Sequence, residues 1–413
     1  MIKRRALALI LAAGFVFGSY ATDARVAVMG RHNTPWFYRD EVSVFNNPAD
    51  MSLYPNMIYG SFGYVPKPEL VVGDLASMTY QYNLPRDPHF GAMISHRFSD
   101  EENGPMLSIG AFVNRRDYMV NKLIEAGKAL GCDLHEPTGK IDLMFGYDLG
   151  NGLAVGVGGY AAFQTETQND IIWNQTEFYK GALGINWNIE QGLDLEASFN
   201  AGVTNARFTP PDRKIGNPPT IYNPVYADSV KIVSSGDYFI RGDVRFFSAV
   251  PAINGSFVPQ VSLEFMNLAE TKEIDLNGGV GINMNIDRGF FWAGLQGVYT
   301  QTDVVGGGAA SESIGARLSF GIERNIMWDW FLIRVGGKKE IRHFSNGTTS
   351  GWWENTPSDG SDGDLVGLGF GINIDNRLRI DFVASEDLPY TFTNMISGNM
   401  YHLFNRVSAT YRF

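Results

Sequence analysis

The chain has 413 residues, 47 of them Gly, with 13% aromatics and 44 acidic against 33 basic side chains, a net charge of −11. That balance, with no basic stretch, argues against a nucleic-acid partner. A single cysteine, Cys132, excludes an internal disulfide framework and any multi-cysteine metal site, and six scattered His point to neither a metal centre nor a cofactor.

The first 21 residues, "MIKRRALALILAAGFVFGSYA", carry Lys3, Arg4 and Arg5, an apolar run from Ala6 to Phe17, and small residues at Ser19 and Ala21. This is the pattern of a secretory signal cleaved after Ala21. The alternative, an N-terminal anchor, meets an apolar run short of the ~20 residues a spanning helix needs. No later stretch approaches ~18 uninterrupted apolar residues, so an exported chain of this kind enters a membrane only as strands.

Next come "DARVAVMG", from Asp23, and "DEVSVFNNPADMSLYPN", from Asp40. The pair Met29-Gly30, an acidic residue at Asp40 or Glu41, and Asn47-Pro48-Ala49 follow in that order. The arrangement resembles the entry region of the outer-membrane long-chain fatty-acid transporter (FadL-like) family, with its aromatic-hydrocarbon and secretion-associated branches. The resemblance implies an N-terminal plug or hatch over residues 22–56, held by Asn47, Pro48 and Ala49, inside a barrel over 57–413. It also implies a small hydrophobic or amphipathic cargo. Arg31, His32, Pro35, Trp36, Phe37 and Tyr38 depart from the small residues the family prefers after the Met-Gly pair. The plainer alternative is an arm wedged under the barrel with no gating role. An Asn-Pro step favours a turn, which suits a segment folding back on itself.

From about Tyr59 the chain alternates apolar and polar residues in segments of 10 to 15. In "KIDLMFGYDLG", Ile141, Leu143, Phe145, Tyr147 and Leu149 oppose Lys140, Asp142, Gly146 and Asp148. "LDLEASFNAGVTN" and "RLRIDFVA" repeat the pattern from Leu193 and Arg377. Period two is the strand signal, and these strands exceed the ~5–6 residues usual in soluble sheets. Short connections at 150–152, 190–192, 287–289, 327–329 and 375–376 alternate strictly with long ones near 166–175, 207–235, 304–311, 345–362 and 387–401. Short turns on one side and long loops on the other mark an outer-membrane barrel. Trp187, Trp292, Trp328 and Trp330 lie near the short turns, where an interfacial girdle belongs.

Thirteen strands are legible from residue 139 onward, and the upstream segments 58–65, 75–84, 89–98 and 105–114 supply one or three more, for a total of 14 to 16. One segment has another period. "RDYMVNKLIEAGKALG", 116–131, places Met119, Leu123, Ala126 and Leu130 at helical spacing, and Gly131 stops it. By turn parity this helix lies on the extracellular side, either packed on the rim or serving as an apolar lid. "VGVGGYAAF", from Val155, is Gly-rich but opens no helix, so it marks no phosphate site. Its glycines relieve crowding in a bent wall.

The inner faces are charged: Arg241, Asp243 and Arg245 on one strand, Arg317 and Glu323 on another, then Arg334, Arg379, Asp381, Arg406 and Arg412. They form either an ion-pair network between plug and wall or a ring that steers anionic or amphipathic solutes. His343-Phe344-Ser345-Asn346-Gly347 resembles a stretch of outer-membrane phospholipase A, with Asn355 as the residue that would orient the His. The other motifs of that enzyme are missing, and no catalytic role is expected. The chain closes on "NRVSATYRF", with Val407, Ala409, Tyr411 and Phe413 on one face. That face meets lipid in a strand that closes the cylinder, and the terminal aromatic resembles the signal read by the barrel assembly machinery.

The expectation is an all-β, transmembrane antiparallel barrel in the outer membrane of a diderm bacterium. Its partners are membrane lipid, the assembly machinery and a small hydrophobic molecule. Rival roles are a docking scaffold using loops such as 207–235, and a general porin.

Overall fold

The computed structural model describes residues 23–29, 37–63, 86–101, 104–168, 171–190, 192–209, 231–304, 310–346, 350–353, 365–375, 377–384 and 404–413. The strands are Met57–Gly63 (β1), Arg86–Arg97 (β2), Met106–Val113 (β3), Gly139–Asp148 (β4), Leu153–Gln168 (β5), Ile171–Glu190 (β6), Leu193–Phe208 (β7) and Lys231–Val250 (β8). They continue with Gly255–Leu268 (β9), Thr271–Ile286 (β10), Gly289–Val304 (β11), Ser311–Asn325 (β12), Phe331–Ser345 (β13), Ser350–Trp353 (β14), Leu365–Ile374 (β15), Leu378–Ala384 (β16) and Phe404–Arg412 (β17). Two helices, Asp23–Val28 (α1) and Tyr118–Ala129 (α2), complete the described set, with short 3-10 turns at Glu41–Phe45, Pro48–Leu53 and Pro251–Ile253.

Consecutive strands pair antiparallel, and β1 pairs with β17 from Met57↔Arg412 to Gly63↔Arg406. The sheet therefore has no free edge. The short β14 pairs with the far end of β13, past the stretch that β15 covers, so sixteen strands make the ring. Closure pairs the first strand with the last, so neither presents an open edge to hydrocarbon, where such edges are untenable. Alternation then sorts the side chains. Along β4, Ile141, Leu143, Phe145 and Tyr147 face out, while Lys140, Asp142 and Met144 are buried inside. Leu183, Leu295 and Leu318 continue the outer apolar surface. An apolar exterior around a polar, enclosed interior is the architecture of an outer-membrane β-barrel. No helix among the described residues is long and apolar enough to cross a membrane.

Strands β1, β2 and β3 are the three upstream members; the segment 75–84 lies outside the described residues. Three expectations need correction. The connection placed at 166–175 is strand: β5 runs to Gln168 and β6 resumes at Ile171. The alternation of turn lengths also fails between β9 and β10, where only Ala269 and Glu270 intervene on the long-loop side. Both have positive φ, 50° and 66°, and a two-residue left-handed turn matches the twist of a hairpin. Third, Trp292 does not belong to the outer girdle: it is 1% exposed and points inward, whereas Trp187, Trp328 and Trp330 face out. Proximity to a turn does not fix the face; strand parity does.

Candidate functional site: the barrel lumen

Two elements pack against the inner wall, one toward each end of the barrel. Toward the short turns lies the N-terminal segment. Asp40 caps the first 3-10 turn by accepting from Val42 N–H at 3.0 Å. Asn47 caps the second, accepting from Ala49 N–H at 3.2 Å, with Pro48 in the first position, where no N–H is needed. The Asn47 amide then donates to Asp50 at 3.1 Å and to the Ile185 carbonyl of β6 at 3.4 Å.

The wall is hollowed where this segment touches it. A Cβ added at Gly158 of β5 would lie 3.2 Å from the Pro48 ring, and one at Gly146 of β4 would lie 3.2 Å from the Pro48 carbonyl. Gly156 and Gly184 approach the same backbone more closely still. On the far wall, a Cβ at Gly367 of β15 or Gly336 of β13 would come within 2.7 Å of the Val28 or Met29 Cα, and Phe37 rests on Gly281 and Gly294. Phe37 and Tyr38 pack on Trp292 at centroid distances of 6.2 and 5.2 Å.

Charge completes this socket. Arg25 binds Glu323 at 2.9 Å and Asp40 at 3.3 Å, all buried. Glu323 also takes Arg334 at 3.0 Å and Arg379 at 3.1 Å; Asp381 takes the same two arginines at 2.6 and 3.1 Å. Three guanidiniums thus meet three carboxylates. A second knot joins Arg245 and Arg39 to Glu196, each at 2.5 Å, with Arg245 reaching Asp50 at 3.5 Å. Ser43 donates to the same Asp50 carboxylate. Burial, reinforced by the Glu196 charge and opposed by Arg245, pushes the Asp50 carboxyl up to about 7.

Toward the long loops, α2 turns into the mouth. Its buried Met119, Val120, Leu123 and Ile124 pack with Tyr160, Phe178, Phe239 and Met266 of the wall. Leu130, expected on this stripe, is exposed, because the helix ends at Ala129 and Gly131 takes φ +72°. Polar contacts pin its N-terminal half. Asp117 accepts from Met119 N–H at 3.1 Å and binds Lys180 at 2.7 Å, and Arg115 binds Asp142 at 2.7 Å. Tyr118 donates to Glu264 at 2.5 Å, and Lys122 reaches Glu273 at 2.6 Å. Burial alone would raise the Asp117 carboxyl, but Lys180 and Arg115 outweigh it and hold it down at about 2. Glu264, Glu273 and Asp275 have oxygens within 4.8 Å of one another, and Lys122 sits among them, at 3.6, 2.6 and 4.0 Å.

Of the residues singled out from sequence, Asn47, Pro48 and Ala49 lie together on the glycine-lined wall. Arg379 and Asp381 join the Arg25 cluster, and Arg245 joins Asp50. Arg241 pairs with Asp243 at 3.0 Å and Arg317 with Glu340 at 2.6 Å, separate from both knots. Arg406 is half-buried on β17. Tyr411 and Phe413 are 40% and 57% exposed on the outer face. His343 packs edge-on against Trp352 at 5.1 Å, and no hydrogen bond joins it to Ser345 among the described residues. Asn355 lies outside them.

Arg25, Asp50, Glu196 and Tyr38 were not foreseen. Two signals were available: a lone cation in the otherwise apolar "ARVAV", and an acid directly after Asn-Pro-Ala.

These features define a class: a closed transmembrane β-barrel whose lumen holds its own N-terminal segment and an inward-turned helix. No family model matches the chain, and no curated protein matches it. Among solved structures, the chain is similar to a TodX deltaS2S3 mutant monoaromatic hydrocarbon channel, at 10% identity, TM-score 0.40, over 94% of this chain and 98% of that one. It is similar to the Ralstonia pickettii toluene transporter TbuX at 11% identity, TM-score 0.38, over 95% and 98%. CdiB from Escherichia coli gives 8% identity and a TM-score of 0.41 over 86% and 63%.

Proposed function

We propose that the protein is an outer-membrane barrel for the passage or capture of small hydrophobic or amphipathic molecules, with residues 22–56 as its plug and residues 1–21 as a cleaved export signal. The observation that supports this reading is the seating of the N-terminal segment and of α2 against the inner wall. A sixteen-strand barrel otherwise encloses a water channel. Here α1 and residues 37–54 lie against inner glycines on opposite walls, and α2 lays an apolar face across the mouth. A general porin needs open water there, and a docking scaffold needs neither apolar lining nor close seating. The apolar cluster under α2 suits a greasy solute entering from outside, and Asn47, Pro48 and Ala49 form the seat that keeps the plug in place. No catalytic role is part of this reading.

The test compares the intact protein with a variant lacking residues 22–50, in planar bilayers and in lipid nanodiscs. The intact protein is expected to pass ions poorly and to bind toluene saturably. The deletion variant, still a heat-modifiable barrel, is expected to pass ions freely. Porin-sized conductance from the intact protein would overturn the proposal.

A further inference from the structure

The inner wall carries two buried glutamines, each with one amide atom that has no partner among the described residues. Gln260 on β9 and Gln296 on β11 flank Gly279 of β10, and Gly279 is the direct register partner of both. Both side chains face inward, 8% and 2% exposed. The Gln260 carbonyl oxygen and the Gln296 amide nitrogen are buried with no hydrogen-bond partner among the described residues. A Cβ added at Gly279 would lie 2.7 Å from Gln296 Cγ, so the Gln296 side chain lies across the bare strand between them.

The charged neighbours in the same row are already engaged. Arg245, beside Gln260, binds Glu196 at 2.5 Å; Arg317, beside Gln296, binds Glu340 at 2.6 Å. A charged ligand would find no free counter-charge there. One rung toward the short turns the wall is apolar, with buried Val258 and the Phe37 ring over Gly281 and Gly294. Buried amides keep partners as a rule, so a vacant acceptor and a vacant donor on either side of β10 call for a ligand.

We infer that Gln260 and Gln296 form a polar subsite for a neutral hydroxylated molecule, an alcohol or phenol. Its hydroxyl donates to the Gln260 carbonyl oxygen and accepts from the Gln296 amide, while its hydrocarbon part lies on Phe37. A single hydroxyl has both capacities, whereas a hydrocarbon has neither and a carboxylate lacks the donor. The inference rests on the lumen pathway proposed above and names the chemistry of its cargo.

Ligand-observed NMR on the full-length protein in nanodiscs tests it, with benzyl alcohol and toluene as probes. The wild type is expected to bind benzyl alcohol on the order of tenfold more tightly than toluene, the gain from two net hydrogen bonds. Gln260→Met and Gln296→Met keep side-chain length; each is expected to bring the two affinities together by weakening the alcohol alone. Equal affinities in the wild type would overturn the inference without any variant, and would mean that water alone satisfies the pair. Variants that weaken both probes alike would also overturn it. Toluene failing to bind while benzyl alcohol binds through the amides would support the subsite and sink the hydrocarbon pathway. Failure of both probes would sink both.

Discussion

The two occupants of the lumen are held by opposite means. The N-terminal segment is fixed by close backbone approach and by balanced clusters of buried charge: Arg25 with Glu323 and Asp40, Arg245 with Asp50 and Glu196. Helix α2 is fixed by side-chain packing, with ion pairs at its N-cap Asp117 and at Lys122. The first socket demands one register, because a segment seated over glycines has nowhere else to fit. The second tolerates sliding, because Leu, Ile and Met side chains repack.

The comparison breaks most sharply at Glu323. Glu323→Gln leaves three guanidiniums facing two carboxylates, and removing one member of a buried ion cluster costs about 3–5 kcal/mol. The expected outcome is a lowered unfolding midpoint in detergent together with proteolysis within residues 23–45, while α2 stays protected. Leu123→Ala tests the other socket. It removes a fully buried side chain from the apolar cluster and is expected to cost about 3 kcal/mol, with protection lost in α2 and kept in residues 40–54. If either substitution loosened both elements equally, the sockets would be one cooperative unit.

Acidity gives the finest distinction. The docked Asp50 carboxyl, at about 7 against an ordinary 3.8, binds its proton more tightly than the released one. Docking of the N-terminal segment therefore weakens as pH rises from about 4 to 7. Asp117, held at about 2, contributes fully above 3.8 and loses its contribution as pH falls through 2. Hydrogen exchange across pH 2 to 8, corrected for intrinsic rates, is expected to show protection of residues 40–54 rising on mild acidification. Protection of 118–129 is expected to hold there and fall only at the acid end. Asp50→Asn flattens the first profile and leaves the second.

The fold was legible because a barrel writes its inside and outside into alternate residues. Ile141, Leu143 and Phe145 against Lys140 and Asp142 needed no other information. Asn47-Pro48-Ala49 was legible as a turn, because proline and the Asn cap act locally. The clusters were not, because their members are far apart in sequence: Arg25 and Glu323 are separated by 298 residues. The glycines of β5 read as relief of crowding in the wall. In the structure, Gly156 and Gly158 are recesses shaped to the Pro48 backbone and ring, a role that appears only once the partner is known. Trp292 misled for a related reason: its nearness to a turn outweighed its parity with Gly294 and Gln296.

The N-terminal segment also touches the seam where the first and last strands meet. Ala24 N–H donates to Ser408 at 2.9 Å, Glu41 takes Arg412 at 3.2 Å, and Phe413 N–H reaches the Asn56 carbonyl at 3.1 Å. These contacts exist only where β1 and β17 have paired, so seating of the N-terminal segment reports that the ring has closed.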